Sequence, residues 1–138
     1  MFSSFLRRTF FLGPCGSGSR MKLVLNLAPG LHRAVLAEAL TFAKRCGLSR
    51  EQALEILQAG PAYSKAMDIK GQKMLQENFE PEARLSQHLK DVRLILAAGE
   101  RCDAKLPLSE VHRVLLESTQ AASYGTSDNS AVIKAFEL

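Results

Sequence analysis

The stretch that decides how this chain folds and functions lies at residues 16–26 and reads Gly16-Ser17-Gly18-Ser19-Arg20-Met21-Lys22-Leu23-Val24-Leu25-Asn26. Between Met21 and Leu31 the polar side chains are Lys22 and Asn26 alone. Four residues apart, they share one face of a helix. A lone ammonium and a lone amide on an apolar helix cost desolvation energy unless something pairs with them. On spacing alone, a lysine that snorkels to water is the ordinary interpretation. A pair that holds a substrate oxygen is the alternative.

The charge of the chain is concentrated at its N-terminal end. The net charge is +4 over 138 residues, and the first acidic residue is Glu38. Arg7, Arg8, Arg20 and Lys22 precede it, and from residue 23 onward basic and acidic residues balance. A hydrophobic fraction of 46% and a charged fraction of 23% are typical of one soluble globular domain. A neutral body argues against a nucleic-acid-binding face, which needs clustered basic residues.

The cysteines and the apolar segments indicate in which cellular compartment the protein is expected. Cys15, Cys46 and Cys102 are odd in number and lack zinc-site spacing, which favours a reducing compartment and no metal. No apolar run reaches the ~18 residues that a membrane helix needs, so no membrane association is expected. We expect a cytoplasmic protein. Phenylalanines and arginines within residues 1–12 leave a transit peptide, and hence the mitochondrial matrix, as the alternative.

The remaining sequence predicts an all-α domain behind a short extended stub. We expect the stub at residues 1–14, with a strand at 9–12, and the helical domain at 15–138. Helices are predicted at 19–45, 49–58, 64–77, 85–101, 107–123 and 130–136. Pro29-Gly30 predicts a kink in the first of these. His32, His88 and His112 are expected to be partly exposed, and Met67 and Met74 to lie in the core.

Two nucleotide-binding loops can be excluded at the glycine-rich segment. Gly13, Gly16 and Gly18 lack the third glycine of the dinucleotide fingerprint, because that position is Met21. No glycine directly precedes Lys22, as the Walker pattern requires. The glycines are therefore expected to allow a tight turn or a close backbone approach.

The spacing Gly16-x-Gly18-x-x-x-Lys22-x-x-x-Asn26 is similar to the catalytic motif of the β-hydroxyacid dehydrogenases, which include 3-hydroxyisobutyrate dehydrogenase and the glyoxylate/succinic semialdehyde reductases. Asn78-Phe79 followed by Leu89-Lys90-Asp91 resembles the second motif of that family. Residues 127–133 resemble its C-terminal helix. The resemblance covers residues 9–137, with the motifs in the family's order.

This resemblance implies a helical bundle like the C-terminal domain of 6-phosphogluconate dehydrogenase, with a long N-terminal interdomain helix. It implies Lys22 as the catalytic acid/base. Asn26 and Gly18 would bind substrate, and Lys90, Asp91 and Phe79 would contact the cofactor, NAD or NADP. The implied reaction is hydride transfer between a small 3-hydroxy acid and its semialdehyde, and the implied assembly is a homo-oligomer formed through the helical domain.

The family's nucleotide-binding domain, with its glycine-rich loop, has no counterpart in this sequence. We therefore expect weak or absent cofactor binding by this chain alone. One alternative is a non-enzymatic helical dimerisation module that pairs with itself or with a full-length paralogue, with Phe2, Phe5, Phe10 and Phe11 as a docking surface. Another is that Met1 lies inside a longer enzyme.

Overall fold

A computed structural model describes residues 17–137 of the chain. The predicted stub at 1–14 and the strand at 9–12 lie outside the described residues. The described part forms five α-helices, a π-helical turn and a 3-10 helix, and the predicted all-α class is confirmed. The elements are α1 (Ser17–Arg45), α2 (Arg50–Ala59), α3 (Lys65–Gln76), α4 (Leu85–Arg101), α5 (Pro107–Thr119), the π-helical turn (Gln120–Tyr124) and the 3-10 helix (Asn129–Phe136).

Helix α1 runs without interruption through Pro29. The backbone hydrogen bond lost at Pro29 does not end the helix. The kink at Pro29-Gly30 stays a prediction. The helix ends as predicted at Gly47, whose φ of +78° is in the left-handed region. The Leu48 N–H donates to Ala43 O at 2.9 Å and the Gly47 N–H donates to Lys44 O at 3.0 Å, which satisfies two terminal carbonyls.

The second half of α1 is the centre of the domain. Its apolar stripe contributes Leu36, Ala37 and Leu40, each with no exposed surface. Around it lie residues of α2–α5 and the 3-10 helix, and both methionines predicted for the core are there. The buried cluster comprises Leu36, Ala37, Leu40, Leu54, Met67, Met74, Leu85, Leu89, Val92, Leu116, Ala131, Val132 and Ile133.

Helices α2 and α3 form a tight antiparallel pair against α1. The Ser49 hydroxyl caps α2 by accepting the Gln52 N–H at 3.1 Å, as the sequence predicted. Gly71 lowers the helical propensity of α3, but it leaves room for the Leu54 side chain of α2. A Cβ atom at Gly71 would lie 2.8 Å from the Leu54 side chain. The glycine is therefore needed for the close approach of α2 to α3.

The C-terminal region departs from the prediction in two places. The fifth helix ends at Thr119 and continues as the π-helical turn, in which Ser123 has a φ of 77°. The last helix is a 3-10 helix, capped by the Asp128 carboxylate, which accepts the Ser130 N–H at 3.0 Å. Periodicity located both elements, but it does not distinguish α from π or 3-10 hydrogen bonding.

By length and composition, the segment Gly18–Arg45 of α1 is able to cross a membrane, with a mean hydropathy of 1.2 and 22% of its most apolar stretch buried. The segment is therefore longer and more apolar than the sequence-based expectation allowed, even though charged residues such as Lys22 and Arg33 interrupt it. The same length and composition are found in core helices of soluble proteins and in signal sequences.

Candidate functional site

The first half of α1 carries the residues of the first motif and is largely uncovered. Gly18, Lys22 and Asn26 are all exposed. None of residues 18–29 of this helix is buried. Even its apolar side chains are open to solvent, with Val24 58% and Leu25 38% exposed. The side chains of Lys22 and Asn26 form no hydrogen bond within residues 17–137. The polar pair thus stands on an apolar helix surface that other parts of the described chain leave open.

The second motif lies on α4 and on the loop before it. Lys90 is exposed and has no carboxylate within 4 Å in the described part of the chain. Asp91 is half-buried and its carboxylate accepts a long bond from Gln87 Nε2, at 3.4 Å. The Phe79 ring is half-buried and packs edge-on against Tyr124, with centroids 6.1 Å apart. These three residues form no hydrogen bond with Lys22 or Asn26 within residues 17–137.

Helices α1 and α4 meet closely at Gly30 and His88, and this contact relates the two motifs. A Cβ atom on Gly30 would lie 2.6 Å from His88 Nε2. Asn26 is four residues before this contact on α1, and Lys90 is two residues after it on α4. At 1.5 Å per residue, Asn26 lies about 6 Å and Lys90 about 3 Å along its helix axis from the crossing. The crossing therefore brings one end of each motif to the same region of the domain.

Beneath this crossing lies a cluster of three basic side chains. Arg33 Nη2 lies 3.0 Å from His88 Nε2, and the His88 and His112 rings are 5.2 Å apart. If the guanidinium donates, Nε2 of His88 accepts and the proton of the neutral ring is on Nδ1. Burial lowers the pKa of His88 to about 3, with smaller contributions from the charges of Arg33 and His112. Burial and the Arg33 charge lower the pKa of His112 to about 4. Both rings are therefore neutral at pH 7.

The prediction that His88 and His112 are partly exposed is wrong: they are 7% and 2% exposed. His32 is exposed, as expected. Sequence spacing could not find the cluster, because Arg33, His88 and His112 come from α1, α4 and α5. A usable signal was Gly30 itself, since a glycine inside an apolar helix often marks a close contact.

Asp128 holds the loop that carries Phe79 and the start of α4. The Asp128 N–H donates to Phe79 O at 2.8 Å. Its carboxylate accepts the backbone N–H groups of Glu82 at 3.0 Å and Ala83 at 3.2 Å. Lys70 Nζ lies 3.0 Å from both carboxylate oxygens. The network fixes the backbone on both sides of the loop and so positions Phe79 and the helix bearing Lys90.

The chemistry available at these residues suits a nicotinamide cofactor in part. Within residues 17–137, no group of three His, Cys, Asp or Glu side chains could hold a metal ion. Lys90 presents an unpaired ammonium to solvent, which suits a phosphate or a ribose hydroxyl. Asp91 supplies an adjacent acceptor. The sequence holds no Gly-x-Gly-x-x-Gly loop, so a cradle for the pyrophosphate is not among these residues.

An all-helical domain that carries Gly18, Lys22 and Asn26 along its long first helix has the architecture of the helical half of a nicotinamide-dependent hydroxyacid dehydrogenase. The profile described as "NAD-binding of NADP-dependent 3-hydroxyisobutyrate dehydrogenase" matches residues 16–136. The chain belongs to this family, and the family resemblance stated from the motifs is confirmed.

Relatives of this chain are of two kinds. Cytokine-like nuclear factor N-PAC of Xenopus tropicalis is 35% identical over 94% of this chain. Glyoxylate/succinic semialdehyde reductase 1 of Arabidopsis thaliana is 32% identical over 96% of it. The structure of 3-hydroxyisobutyrate dehydrogenase from Salmonella typhimurium superimposes with a TM-score of 0.83 at 28% identity, over 86% of this chain. The chain spans 24%, 46% and 42% of these three proteins, respectively.

Proposed function

We propose that this chain provides the helical half of an NAD(P)-dependent oxidoreductase that interconverts a small 3-hydroxy acid and its semialdehyde. The observation that carries the proposal is the pair Lys22 and Asn26, the two polar side chains between Met21 and Leu31, which lie one turn apart and are exposed within residues 17–137. Family membership supports the class of reaction and the use of a nicotinamide cofactor. The reductase relative, named for glyoxylate and succinic semialdehyde, supports a small carboxylated aldehyde as the substrate class.

In this proposal Lys22 Nζ moves the proton. As the alcohol carbon becomes a carbonyl, the hydroxyl proton passes to the neutral amine, and in the reverse direction the ammonium returns it. A nicotinamide dinucleotide, when bound, accepts or donates the hydride. The Asn26 side-chain amide donates to a substrate oxygen and fixes its orientation, while the flat backbone at Gly18 lets the substrate approach closely.

Exposure of Lys22 sets a requirement on the complete enzyme. A lysine functions as a base at neutral pH when its surroundings disfavour the charged form, and burial is the usual cause. Residues 17–137 leave Lys22 open to water. We infer that a nucleotide-binding domain covers this half of α1, excludes water from Lys22 and holds the pyrophosphate. Lys90, Asp91 and Phe79 would contact the cofactor from the helical side.

The test is a chimaera that joins the nucleotide-binding half of the Salmonella typhimurium enzyme to this chain. The proposal predicts NADPH-dependent reduction of a semialdehyde, followed as loss of absorbance at 340 nm. Glyoxylate, succinic semialdehyde and the semialdehyde of 3-hydroxyisobutyrate are the substrates to compare. A folded chimaera that binds NADPH but reduces none of them would contradict the enzyme proposal.

A second candidate function is a non-enzymatic helical dimerisation module. The observation in its favour is the uncovered apolar surface of α1, with Val24 at 58% and Leu25 at 38% exposed. A relative named as a nuclear factor, N-PAC, shows that proteins containing this domain are not all named for enzyme activity. Sedimentation velocity decides this candidate. A dimer that Val24→Asp and Leu25→Asp convert to a monomer would support it, and a monomer at all concentrations would contradict it.

A further inference from the structure

A cavity of about 350 Å³ lies where α1 ends and α2 begins. Its walls are Thr41, Lys44, Arg45, Arg50 and Glu137. Lys44 and Arg45 come from the last turn of α1, Arg50 is the first residue of α2, and Glu137 follows the 3-10 helix. Three elements therefore bring three cations and one carboxylate to one concave surface.

The cations of this cavity form no close salt bridge within the described residues, although the charges of Arg50 and Lys44 help to lower the pKa of the nearby Glu77 carboxylate. Lys44, Arg45 and Arg50 have no carboxylate within 4 Å among residues 17–137. The Glu137 carboxylate is already bonded to Lys134 Nζ, at 3.1 Å, and Lys134 also pairs with Glu77. Counting these six side chains as four cations and two anions leaves a net charge of +2 at the cavity.

The arrangement of charge at α2 is not explained by helix stability. Basic residues in the last turn of α1 stabilise that helix, because they face the negative end of its dipole. Arg50 is at the opposite, positive end of the α2 dipole, where a cation is unfavourable. Arg50 is also half-buried, unlike Lys44 and Arg45. Its charge lies beside those of Lys44 and Arg45, and the Glu77 carboxylate offsets only part of them. The excess positive charge at the cavity is what an anion would neutralise.

We propose that this cavity binds a small oxyanion carrying at least two negative charges, on phosphate or carboxylate oxygens. The guanidinium of Arg50 would contact two oxygens in a bidentate manner, and Lys44 and Arg45 would neutralise the remaining charge. The Thr41 hydroxyl donates to Ala37 O at 2.8 Å, so it shapes the wall and does not donate to the ligand.

This site is separate from the proposed catalytic stripe. Lys44 follows Lys22 by 22 residues on the same continuous helix, which corresponds to about 33 Å at 1.5 Å per residue. An anion bound there cannot be the group that reacts at Lys22. It would act as an effector or as an anchoring group, and the proposal stands whether or not the chain is part of an enzyme.

The test is an NMR titration of the 138-residue chain with pyrophosphate, citrate and acetate, at constant ionic strength adjusted with chloride. The proposal predicts saturable amide shift changes at residues 41–50 and 134–137 with pyrophosphate, citrate or both, and none that saturate with acetate. Whichever dianion or trianion binds more tightly identifies phosphate or carboxylate as the preferred group. Shift changes that do not saturate with any of them would overturn the proposal.

Matched variants separate a site from general charge attraction. Arg50→Gln should weaken binding roughly tenfold or more, because it removes charge-assisted hydrogen bonds. Arg101→Gln removes the same charge from an exposed position in the last turn of α4 and should change affinity less than about twofold. Glu137→Gln should tighten binding. Equal weakening by Arg50→Gln and Arg101→Gln, in variants with unchanged circular dichroism, would overturn the proposal.

Discussion

Lys70 and Asp128, 58 residues apart in sequence, form a buried ion pair in which Lys70 Nζ lies 3.0 Å from both carboxylate oxygens. Lys70 is 5% exposed and Asp128 is fully buried. Burial alone would raise the pKa of Asp128. Hydrogen bonds from the Ser130 hydroxyl and N–H, from Lys70 and from the Glu82 N–H instead hold that pKa well below its usual range. The carboxylate is thus charged at pH 7 and ties α3, the Phe79 loop and the 3-10 helix together.

Replacing Asp128 by Asn should destabilise the domain by about 3 kcal/mol, because the buried Lys70 loses its close counter-ion and keeps only the more distant, exposed Glu82 carboxylate, at 3.7 Å. The amide oxygen can still accept one backbone N–H group, so the loss reports mainly on the charge. Urea unfolding at pH 7 measures it. Asp103→Asn, an exposed acid at a φ of 56° that Asn tolerates, should change the unfolding free energy by less than about 0.5 kcal/mol.

The lowered pKa of Asp128 also sets a pH dependence. Its stabilising contribution is complete above the unfolded-state pKa of about 3.9 and declines as the pH falls below it. The Asp128→Asn variant lacks this contribution, so the difference in stability between the two proteins should shrink below about pH 4. A difference that stays constant down to pH 3 would contradict the proposed charge of Asp128 in the folded state.

Gly30→Ala should destabilise the domain by about 1–3 kcal/mol, because the new methyl group overlaps His88 and the packed helices must shift. The added Cβ atom would lie only 2.6 Å from His88 Nε2. Gly18→Ala is the matched control on the same helix, where a Cβ atom meets nothing within 4 Å. That variant should be neutral or stabilising, since Ala is a better helix former by about 1 kcal/mol. Thermal unfolding of both variants is the measurement, and equal effects would contradict the close crossing.

The buried imidazoles predict a loss of stability on mild acidification. Their pKa values are about 3 and about 4 in the folded domain and about 6.5 when unfolded, so the unfolded state takes up protons first as the pH falls. As the pH falls from 7.5 to 5.5, each ring should lower the free energy of unfolding by about 1.4 kcal/mol. Urea titrations across this range measure the slope. His112→Leu should roughly halve the slope, whereas His32→Gln, at an exposed position, should leave it unchanged. A wild-type slope near zero would show that the rings are not buried neutral.

The isolated 138-residue chain should show no detectable binding of NAD(H) or NADP(H) by isothermal titration calorimetry. The reason is that no glycine-rich loop is available to cradle the pyrophosphate, and Lys90 and Asp91 alone are exposed or half-buried surface groups. Micromolar affinity for either dinucleotide would contradict the proposal that another domain supplies the main cofactor contacts.

Helix positions were predictable from sequence because their signals are local. The period of apolar residues and breakers such as Gly47 and Gly60-Pro61 located every element of residues 17–137. What failed depends on tertiary contacts. The burial of His88, which contacts Gly30 of another helix, is one such case.

In the candidate site, too, features within one helix could be predicted from the sequence and contacts between elements could not. The spacing of Lys22 and Asn26 could be read directly, because one helix carries both residues. The pairing of Lys70 with Asp128 could not, since nothing local links positions on different elements. Lys22 is exposed within residues 17–137, so the nucleotide-binding domain that we propose covers it has no signal in the described fold.

The most direct test of the central claim is the turnover of the chimaera with Lys22 replaced. Lys22→Met keeps the length and apolar stem of the side chain and removes its proton-transfer group, so kcat should fall about 10²–10⁴-fold, the usual contribution of a general acid/base. Lys105→Met, at an exposed loop position, is the control and should retain full activity. Loss of kcat in Lys22→Met with unchanged NADPH affinity is the predicted result. A Lys22→Met chimaera with wild-type kcat would contradict the assignment of Lys22 as the acid/base.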